Sequence, residues 1–313
     1  MKKILLLFVA LLGSTMLFAQ GRVVRDTFHY ATHDGEALYL DRYMTEVAGE
    51  ELRPVMIFAF GGGFVGGERD REYYADYFRR LAEAGIVAVS IDYRLGLKSI
   101  PEGIGLIDMI GMLKNAVNIA VEDMYAATCY VLDNQKEWRI DPEKIMVSGS
   151  SAGAITALQA EWNRCNDTEL AAVLPEGFRY AAVVSCAGAI FTTKGKPKFE
   201  AEPAPMLLFH GSSDSNVPYN KASVMGVGFY GSEYVARQLE KLDAPYYFYA
   251  VEYADHSLAV TPLQDKCDLI LQFIEDYVVR GVRAKTTTTQ RSCNAEKRPT
   301  NFSVKDYLSS NYE

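Results

Sequence analysis

The stretch Ile145-Met-Val-Ser-Gly-Ser-Ser-Ala-Gly-Ala154 decides the fold, because a short apolar run passes straight into a turn built of glycine, serine and alanine. The following residues, AITALQAEW, are typical of a helix. A serine at a sharp strand-to-helix turn points its hydroxyl out of the sheet, and a Cβ at either flanking glycine would collide with backbone. A Gly/Ser-rich βα loop is the alternative, but the order strand, turn, helix favours Ser151 as a nucleophile.

Apolar runs and helical segments alternate around this turn. VMIFAF (55–60) and IVAVSID (86–92) are continuous apolar runs of the kind buried on both faces of a sheet, and a helical segment at 73–84 lies between them. Strand, helix, strand at this spacing predicts parallel βαβ units. FHYATHDGEALYLDRYM (28–44) has period-two alternation around Asp34-Gly35, which predicts an antiparallel hairpin. We therefore expect an α/β fold with a mainly parallel central sheet, antiparallel N-terminal edge strands and helices on both faces.

The flanking segments give the expected domain organisation. Residues 1–20 have a basic start, an apolar run too short to span a bilayer and a small residue near the end, which predicts a cleaved signal peptide and a periplasmic or extracellular protein. Residues 21–281 are expected to form the catalytic domain, with 94–113 as a connection or small lid near the site. Residues 282–313 lack periodicity and are expected to form a loosely attached or partly ordered tail. No later run predicts a membrane anchor.

Charge and cysteine content exclude several classes of protein. The formal net charge is −8, and removal of residues 1–20, which carry two lysines and no acid, would make it −10. This balance disfavours nucleic acid and anionic membrane as partners. The five cysteines are an odd number without metal-like spacing, which favours structural thiols or one incidental disulfide. They are Cys129, Cys165, Cys186, Cys267 and Cys293.

In this order of elements the chain resembles the α/β-hydrolase esterase/lipase family, in particular the hormone-sensitive-lipase-like and bacterial acetyl- and feruloyl-esterase-like carboxylesterases. The resemblance covers about residues 30–280 and rests on five motifs. These are FGGGF (60–64), SIDYRL (90–95), IDPEKIMVSGSSAG (140–153), HGSSDSNVP (210–218) and ADHS (254–257). It implies serine ester hydrolysis through an acyl-enzyme, with nucleophile, acid and histidine in that order along the chain.

The catalytic triad implied by the resemblance is Ser151, Asp214 and His256. A serine hydroxyl becomes nucleophilic when an imidazole takes its proton, and a carboxylate holds that imidazole in the right tautomer. Of the four histidines, only His256 lies on a loop past a late strand. Asp255 and Asp243 are the rival acids.

Acyl transfer also needs donors for the developing oxyanion, and the backbone amides of Gly62, Gly63 and Ala152 fit that role. The family usually has a histidine before its glycine run, where this chain has Phe60. In the family the histidine supports the loop and does not react, so the glycine amides are expected to keep their oxyanion role with Phe60 in its place.

Three alternatives are open. Gly61, Gly63 and Gly66 with Asp92 match the dinucleotide fingerprint in outline, but that interpretation leaves GSSAG, HGSSD and DHS unexplained. In the hydrolase interpretation Asp92-Tyr93-Arg94 is a structural segment with internal hydrogen bonds and ion pairs. The second alternative is a peptidase of the prolyl-oligopeptidase type, and the third is a non-catalytic binding protein with the same fold. No cofactor or metal is implied.

The expected substrate is an ester of a short acyl group, free or linked to a polysaccharide. The loops 101–112 and 219–230 are expected to border Ser151, and Tyr219, Phe229 and Tyr230 lie on short glycine-rich segments of the second. Aromatic faces in such positions suit flat stacking on sugar or aryl rings, although they could equally pack the loop down. Acetyl or hydroxycinnamoyl esters of polysaccharides are therefore the predicted class.

Overall fold

The computed structural model describes residues 21–46 and 51–312. The predicted signal peptide at residues 1–20 lies outside the described residues. Twelve strands and eight α-helices occur in the described part of the chain. The strands are β1 (Val23–His33), β2 (Glu36–Thr45), β3 (Arg53–Ala59), β4 (Val87–Ile91), β5 (Ile140–Ser150), β6 (Ala182–Cys186), β7 (Ala189–Thr192), β8 (Met206–Gly211), β9 (Lys221–Val224), β10 (Val227–Gly231), β11 (Tyr246–Val251) and β12 (Lys285–Gln290).

The helices separate the parallel strands along the chain. They are α1 (Glu72–Glu83), α2 (Leu106–Asp133), α3 (Gln135–Trp138), α4 (Ala152–Cys165), α5 (Ser232–Lys241), α6 (Thr261–Asp265), α7 (Cys267–Phe273) and α8 (Val304–Tyr312). A π-helical segment, Ile274–Val279, continues α7. Helices α2 and α4 pack together, and α1 packs with α6 and α7.

Nine strands form the central sheet in the order β1-β2-β4-β3-β5-β6-β8-β11-β12. The pairs β1–β2 and β2–β4 are antiparallel, and every other pair in this sheet is parallel. All residues of β4, β6 and β8 are buried. Because successive side chains of a strand point to opposite faces, both faces of the sheet centre must be covered. The expected α/β architecture is confirmed.

The N-terminal hairpin forms as its period-two pattern predicts. Asp34 and Gly35 have φ angles of 52° and 79°, the left-handed values that a two-residue hairpin turn requires. Strand β2 joins the parallel part of the sheet by pairing with β4.

One expectation about local structure is wrong in part. The segment 94–113 is not a connection or lid throughout, because α2 begins at Leu106 and includes Gly111. After β6, strand β7 pairs with β10 and β10 with β9 in a second, three-stranded sheet. The pair Asp141-Pro142 lies inside β5.

The C-terminal tail contains one strand and one helix. Strand β12 pairs in parallel with β11 and extends the sheet past Gly281, and α8 follows it. Its four threonines are β-branched, and β-branched side chains favour an extended edge strand even where they are polar.

The cysteines all lie in the described part of the chain, and none is paired there. Cys165, Cys186 and Cys267 are buried, so burial raises the pKa of each thiol. Cys186 and Cys267 pack as small apolar side chains, whereas the Cys165 thiol donates to Glu161 Oε1 at 3.3 Å.

Candidate active site

Ser151 lies at the turn between β5 and α4, with φ 52° and ψ −117°. A positive φ is a backbone conformation that a non-glycine residue adopts only with strain. The Ser151 amide donates to the carbonyl of Cys186 at 2.9 Å, and its carbonyl accepts from Ile155 at 2.9 Å. Both ends of the peptide are therefore fixed, and the neighbouring strand and the helix hold the side chain in place.

The glycines beside Ser151 are required by close backbone contact. A Cβ on Gly149 would lie 2.2 Å from the carbonyl carbon of Gly153, and one on Gly153 would lie 2.0 Å from the carbonyl oxygen of Ala59. Neither clash could be relieved by rotating a side chain. The glycine spacing thus sets how closely α4 approaches β3 and β5.

The structure brings Ser151, His256 and Asp214 into one hydrogen-bonded chain. The Ser151 hydroxyl donates to His256 Nε2 at 2.7 Å, and His256 Nδ1 donates to Asp214 Oδ2 at 2.7 Å. Asp214 lies on the loop after β8, and His256 lies on the loop after β11. Both loops follow the carboxyl ends of parallel strands, which meet at one edge of the sheet. His256 therefore contacts Ser151, 105 positions earlier, and Asp214, 42 positions earlier.

The Asp214 carboxylate is fully buried and accepts from four donors. The amides of Asn216 and Val217 donate to Oδ1, each at 2.9 Å, and the rings of His256 and His210 contact Oδ2 at 2.7 and 3.3 Å. Burial by itself raises the pKa of this carboxyl, but the hydrogen bonds and charges of His210 and His256 lower it more. The net effect holds the pKa of Asp214 well below its usual range, so the group is anionic.

The two rival acids lie elsewhere. Asp255 accepts from the Ser257 amide and pairs with Arg298, and Asp243 pairs with the exposed Lys285. Among the described contacts neither reaches His256. Geometry alone therefore selects Asp214 as its partner.

His210, which the sequence placed only at a strand end, lies beneath the acid. Its ring is fully buried, and Nε2 contacts two acceptors, the carbonyl of Val217 at 3.1 Å and Asp214 Oδ2. Nε2 therefore carries a proton, and Nδ1 lies 2.8 Å from Ser232 Oγ on α5. The sequence feature that could have shown this contact is HGSSD, in which the acid follows His210 by four residues across a short loop after β8.

The glycine loop after β3 lies beside the serine. The Gly61 amide donates to the Tyr74 hydroxyl at 3.2 Å, and the Gly62 carbonyl accepts from Val65 and Gly66 at 3.0 and 3.1 Å. Within the described residues no group accepts a hydrogen bond from the amides of Gly62 or Gly63. Ala152 is the first residue of α4, where an amide has no partner inside the helix. Gly63 and Ala152 line the cavity with Ser151, whereas Gly62 does not line it and closes the turn of the loop through its carbonyl.

Phe60, which stands where the family usually has a histidine, is buried and stacks on Tyr93 with ring centroids 4.4 Å apart. The Tyr93 hydroxyl donates to the Phe60 carbonyl at 2.8 Å. A Cβ on Gly67 would lie 2.4 Å from the Phe60 ring. Aromatic packing therefore supports the start of the loop where a side-chain hydrogen bond would otherwise do so.

A cavity of about 100 Å³ opens beside Ser151. Its walls come from the glycine loop, α2, the second sheet and the C-terminal helix, and most of them are apolar. The residues that shape it are Gly63, Phe64, Met109, Ile110, Leu113, Phe191, Ala222, Val224, Val227, Phe229, Val304, Tyr307 and Asn311.

The expected aromatic stacking platform does not form. Phe229 reaches the cavity and packs on Phe191, with centroids 4.8 Å apart. Tyr219 instead contacts the rings of His210 and Phe248, and Tyr230 is buried. The two tyrosines thus hold the loop against the body of the protein.

The dinucleotide interpretation fails at Asp92. Both oxygens of this carboxylate accept from Arg69 Nη1, at 3.0 and 2.9 Å, and Oδ2 also accepts from the Tyr39 amide. Nearby, Arg94 pairs with the buried Asp123. The structural role expected for Asp92-Tyr93-Arg94 is confirmed.

Within 21–46 and 51–312, no three His, Cys, Asp or Glu side chains are grouped so that they could hold a metal ion. No helix in the same ranges is long and apolar enough to cross a membrane.

Comparisons with known proteins agree with this architecture. The model of the carboxylesterase family matches residues 16–160. Fumonisin B1 esterase of Sphingopyxis macrogoltabida is 34% identical over 38% of this chain and 22% of its own length. Acetylcholinesterase of Gallus gallus is 31% identical over 38% of this chain and 14% of its own. The chain thus matches about a fifth or less of the length of these curated relatives.

Solved structures match over a much larger share of the chain. A propionate-bound structure of esterase 2 from Thermogutta terrifontis covers 80% of this chain and 93% of its own, with a TM-score of 0.58 and 21% identity. At that identity the match shows the fold, while the family model and the curated relatives supply the sequence link. Residues 16–160 are thus similar to the carboxylesterase family, and the fold of the chain is that of the α/β-hydrolase esterases.

Proposed function

We propose that the protein is a serine carboxylesterase that acts through an acyl-enzyme. The observation that carries this proposal is the hydrogen-bonded chain from Ser151 through His256 to a buried, anionic Asp214, opening on an apolar cavity. A binding function alone would need no such alignment.

In the first half of the reaction, Ser151 Oγ attacks the ester carbonyl carbon while His256 Nε2 takes the hydroxyl proton. The carbonyl oxygen becomes an oxyanion, which the amides of Gly63 and Ala152 are placed to receive. When the intermediate collapses, the bond to the alcohol oxygen breaks and His256 returns its proton to that oxygen. The free alcohol leaves, and the acyl group stays on Ser151.

In the second half, water replaces the alcohol. His256 takes a proton from the water as it attacks the acyl-enzyme, and the same amides receive the second oxyanion. Collapse returns the proton to Ser151 and releases the carboxylic acid. Asp214 stays ionised and stabilises the imidazolium in both halves.

The acyl group is proposed to be short. The cavity of about 100 Å³ is smaller than the roughly 150 Å³ apolar cavity that holds a benzene ring. An acetyl or similar short chain suits this space better than a hydroxycinnamoyl group. Structures of the Thermogutta esterase are described with propionate and butyrate bound, which supports acyl groups of that size.

The alcohol is proposed to be a sugar polymer, so that the protein would remove acetyl groups from polysaccharides. The signal-like residues 1–20 support this proposal, because an exported hydrolase meets polymeric nutrients. An exported location is part of the same proposal.

Labelling with a fluorophosphonate probe tests the function directly. The wild type should label at Ser151 and hydrolyse p-nitrophenyl acetate, and Ser151→Ala should lose both, with kcat falling by about 10⁴–10⁶. Ser150→Ala is the matched control, because the adjacent hydroxyl that it removes lies beside Gly61 and Tyr74, and this variant should keep both the labelling and the hydrolysis. Labelling that persists in Ser151→Ala, or faster hydrolysis of prolyl anilides than of acetate esters, would reject the proposal.

A further inference from the structure

The tail beyond β12 lies across the two loops that carry the acid and the histidine. Arg291 pairs with Glu252, and Arg298 Nη1 lies 2.5 Å from Asp255 Oδ2. Glu252 and Asp255 both belong to the loop that presents His256. The path of the tail is therefore tied to the catalytic edge of the sheet before α8 begins.

Helix α8 starts at a reciprocal cap. The Ser303 amide donates to Asp306 Oδ2 at 2.6 Å, and the Asp306 amide donates to Ser303 Oγ at 3.2 Å. This capping box satisfies amides that have no partner inside the helix. The local sequence thus specifies where α8 begins.

Three hydrogen bonds attach α8 to the loop after β8 that carries Asp214, here called the acid loop. Asn311 Nδ2 donates to the Asn216 carbonyl at 2.8 Å, and Asn216 Nδ2 donates to Asn311 Oδ1 at 3.4 Å. The Tyr307 hydroxyl donates to the carbonyl of Asp214 at 3.3 Å, and burial raises the pKa of that hydroxyl. The helix is therefore attached to the peptide of the catalytic acid itself.

One face of α8 forms part of the cavity wall. Val304, Tyr307 and Asn311 are spaced by three and four residues, which places them on the same side of a helix, and all three line the cavity. Lys305 and Asp306 are exposed on the other side. The same cavity is also lined by Met109 and Leu113 of α2 and by Val224 and Val227 of the second sheet.

From this arrangement we propose that α8 is the wall that limits the length of the acyl chain, with Tyr307 and Val304 as the specificity-determining residues. This inference rests on the proposed esterase function. A longer chain entering from Ser151 meets the Tyr307 ring, which packs against Phe302 on a helix that Asn311 fixes to the Asn216 carbonyl. The favoured substrates are esters of short unbranched acids.

The test compares kcat/KM for p-nitrophenyl octanoate and p-nitrophenyl acetate on the same full-length preparation. The ratio of the two values does not depend on the fraction of active enzyme, so a partly unfolded variant still gives an interpretable result. Tyr307→Ala should raise the octanoate-to-acetate ratio by about tenfold or more, because chain-length discrimination in an apolar pocket has this order of magnitude. Val304→Phe adds volume to the same wall and should lower the butyrate-to-acetate ratio. Lys305→Ala, on the exposed side, should leave both ratios unchanged.

A further variant separates the wall from the hydrogen bond. Tyr307→Phe keeps the ring, so it should keep the wild-type octanoate-to-acetate ratio. If the wild type hydrolyses acetate but Tyr307→Ala and Val304→Phe leave the ratios unchanged, α8 does not form the acyl wall. If the wild type hydrolyses none of the esters and is not labelled by fluorophosphonate, the esterase function fails and this inference fails with it.

Discussion

The glycine loop offers a matched pair of substitutions whose effects the structure separates. A Cβ on Gly62 would lie 1.9 Å from the carbonyl oxygen of Gly66, whereas a Cβ on Gly63 would meet nothing nearer than a Val65 methyl at 4.0 Å. Both residues have left-handed φ angles, 147° and 63°. Gly62→Ala therefore combines strain with a collision against backbone, and Gly63→Ala introduces strain alone.

The magnitudes follow from these distances. Real Cβ contacts are not shorter than 3.0 Å, so Gly62→Ala must move the loop by at least about 1.1 Å. A misplacement of about 1 Å at a catalytic centre can cost about 10²-fold in rate. Gly63→Ala should lower the free energy of unfolding by roughly 1–2 kcal/mol, the cost of a left-handed non-glycine residue. Its kcat should change only a few-fold, because its amide need not move.

The assay measures kcat for p-nitrophenyl acetate and the free energy of unfolding in urea for both variants. The decisive quantity is kcat corrected for the folded fraction, because stability loss alone would lower apparent activity in both proteins. We expect a corrected kcat about 10²-fold lower in Gly62→Ala and near the wild-type value in Gly63→Ala. Equal losses of corrected kcat would show that the backbone collision at Gly62 does not decide the effect, and a Gly62→Ala protein that loses only stability would show that moving this loop displaces no oxyanion donor.

Two further predictions concern the acid and its partner. His256→Ala should lower kcat by about as much as Ser151→Ala, and Asp214→Asn should lower it by roughly 10⁴-fold. The double variant of His256 and Asp214 should lose much less kcat than the product of the two single losses, as a double-mutant cycle would show. Asp255→Asn is the control, and a near-wild-type kcat in Asp214→Asn would contradict the assignment of the acid. Because the folded pKa of Asp214 lies below its ordinary value of 3.8, its ionisation stabilises the fold fully above about pH 4 and less as the pH falls toward the folded pKa. The difference in unfolding free energy between wild type and Asp214→Asn, measured in urea, should therefore shrink by roughly 1.4 kcal/mol per pH unit below pH 4. A difference that stays constant to pH 3 would show that the fold does not stabilise the anionic form of this carboxyl.

Local features of the fold could be predicted from the sequence where neighbours in the chain determine the conformation. The turn at Ser151 is such a case, because the glycines that permit it lie within two residues of it. The hairpin at Asp34-Gly35 and the buried strands are others, since alternation and continuous apolar runs report burial directly. His256 could be identified because the chain has only four histidines and only one follows a late strand.

Features that depend on contacts distant in the chain were missed. β12 pairs with β11 about forty residues earlier, and its threonines carry no apolar signal to show that partner. The start of α2 was missed because Gly105 and Gly111 resemble loop residues, although Gly111 has no neighbouring atom within 4 Å of an added Cβ and is tolerated there. His210 acquires its role only when β8, the acid loop and Ser232 of α5 meet in space.

The position of His210 explains how a fully buried carboxylate can serve as a permanent anion. Burial alone would favour the neutral acid, which could neither hold His256 in the required tautomer nor stabilise the imidazolium. Four donors offset the effect of burial on the pKa of Asp214, and three of them do not involve His256. These three are the amides of Asn216 and Val217 and the ring of His210. The tail fixes the same loop from the other side through Tyr307 and Asn311. The acid is therefore held in a charged, oriented state before substrate binds, so that little reorganisation is left to the chemical step.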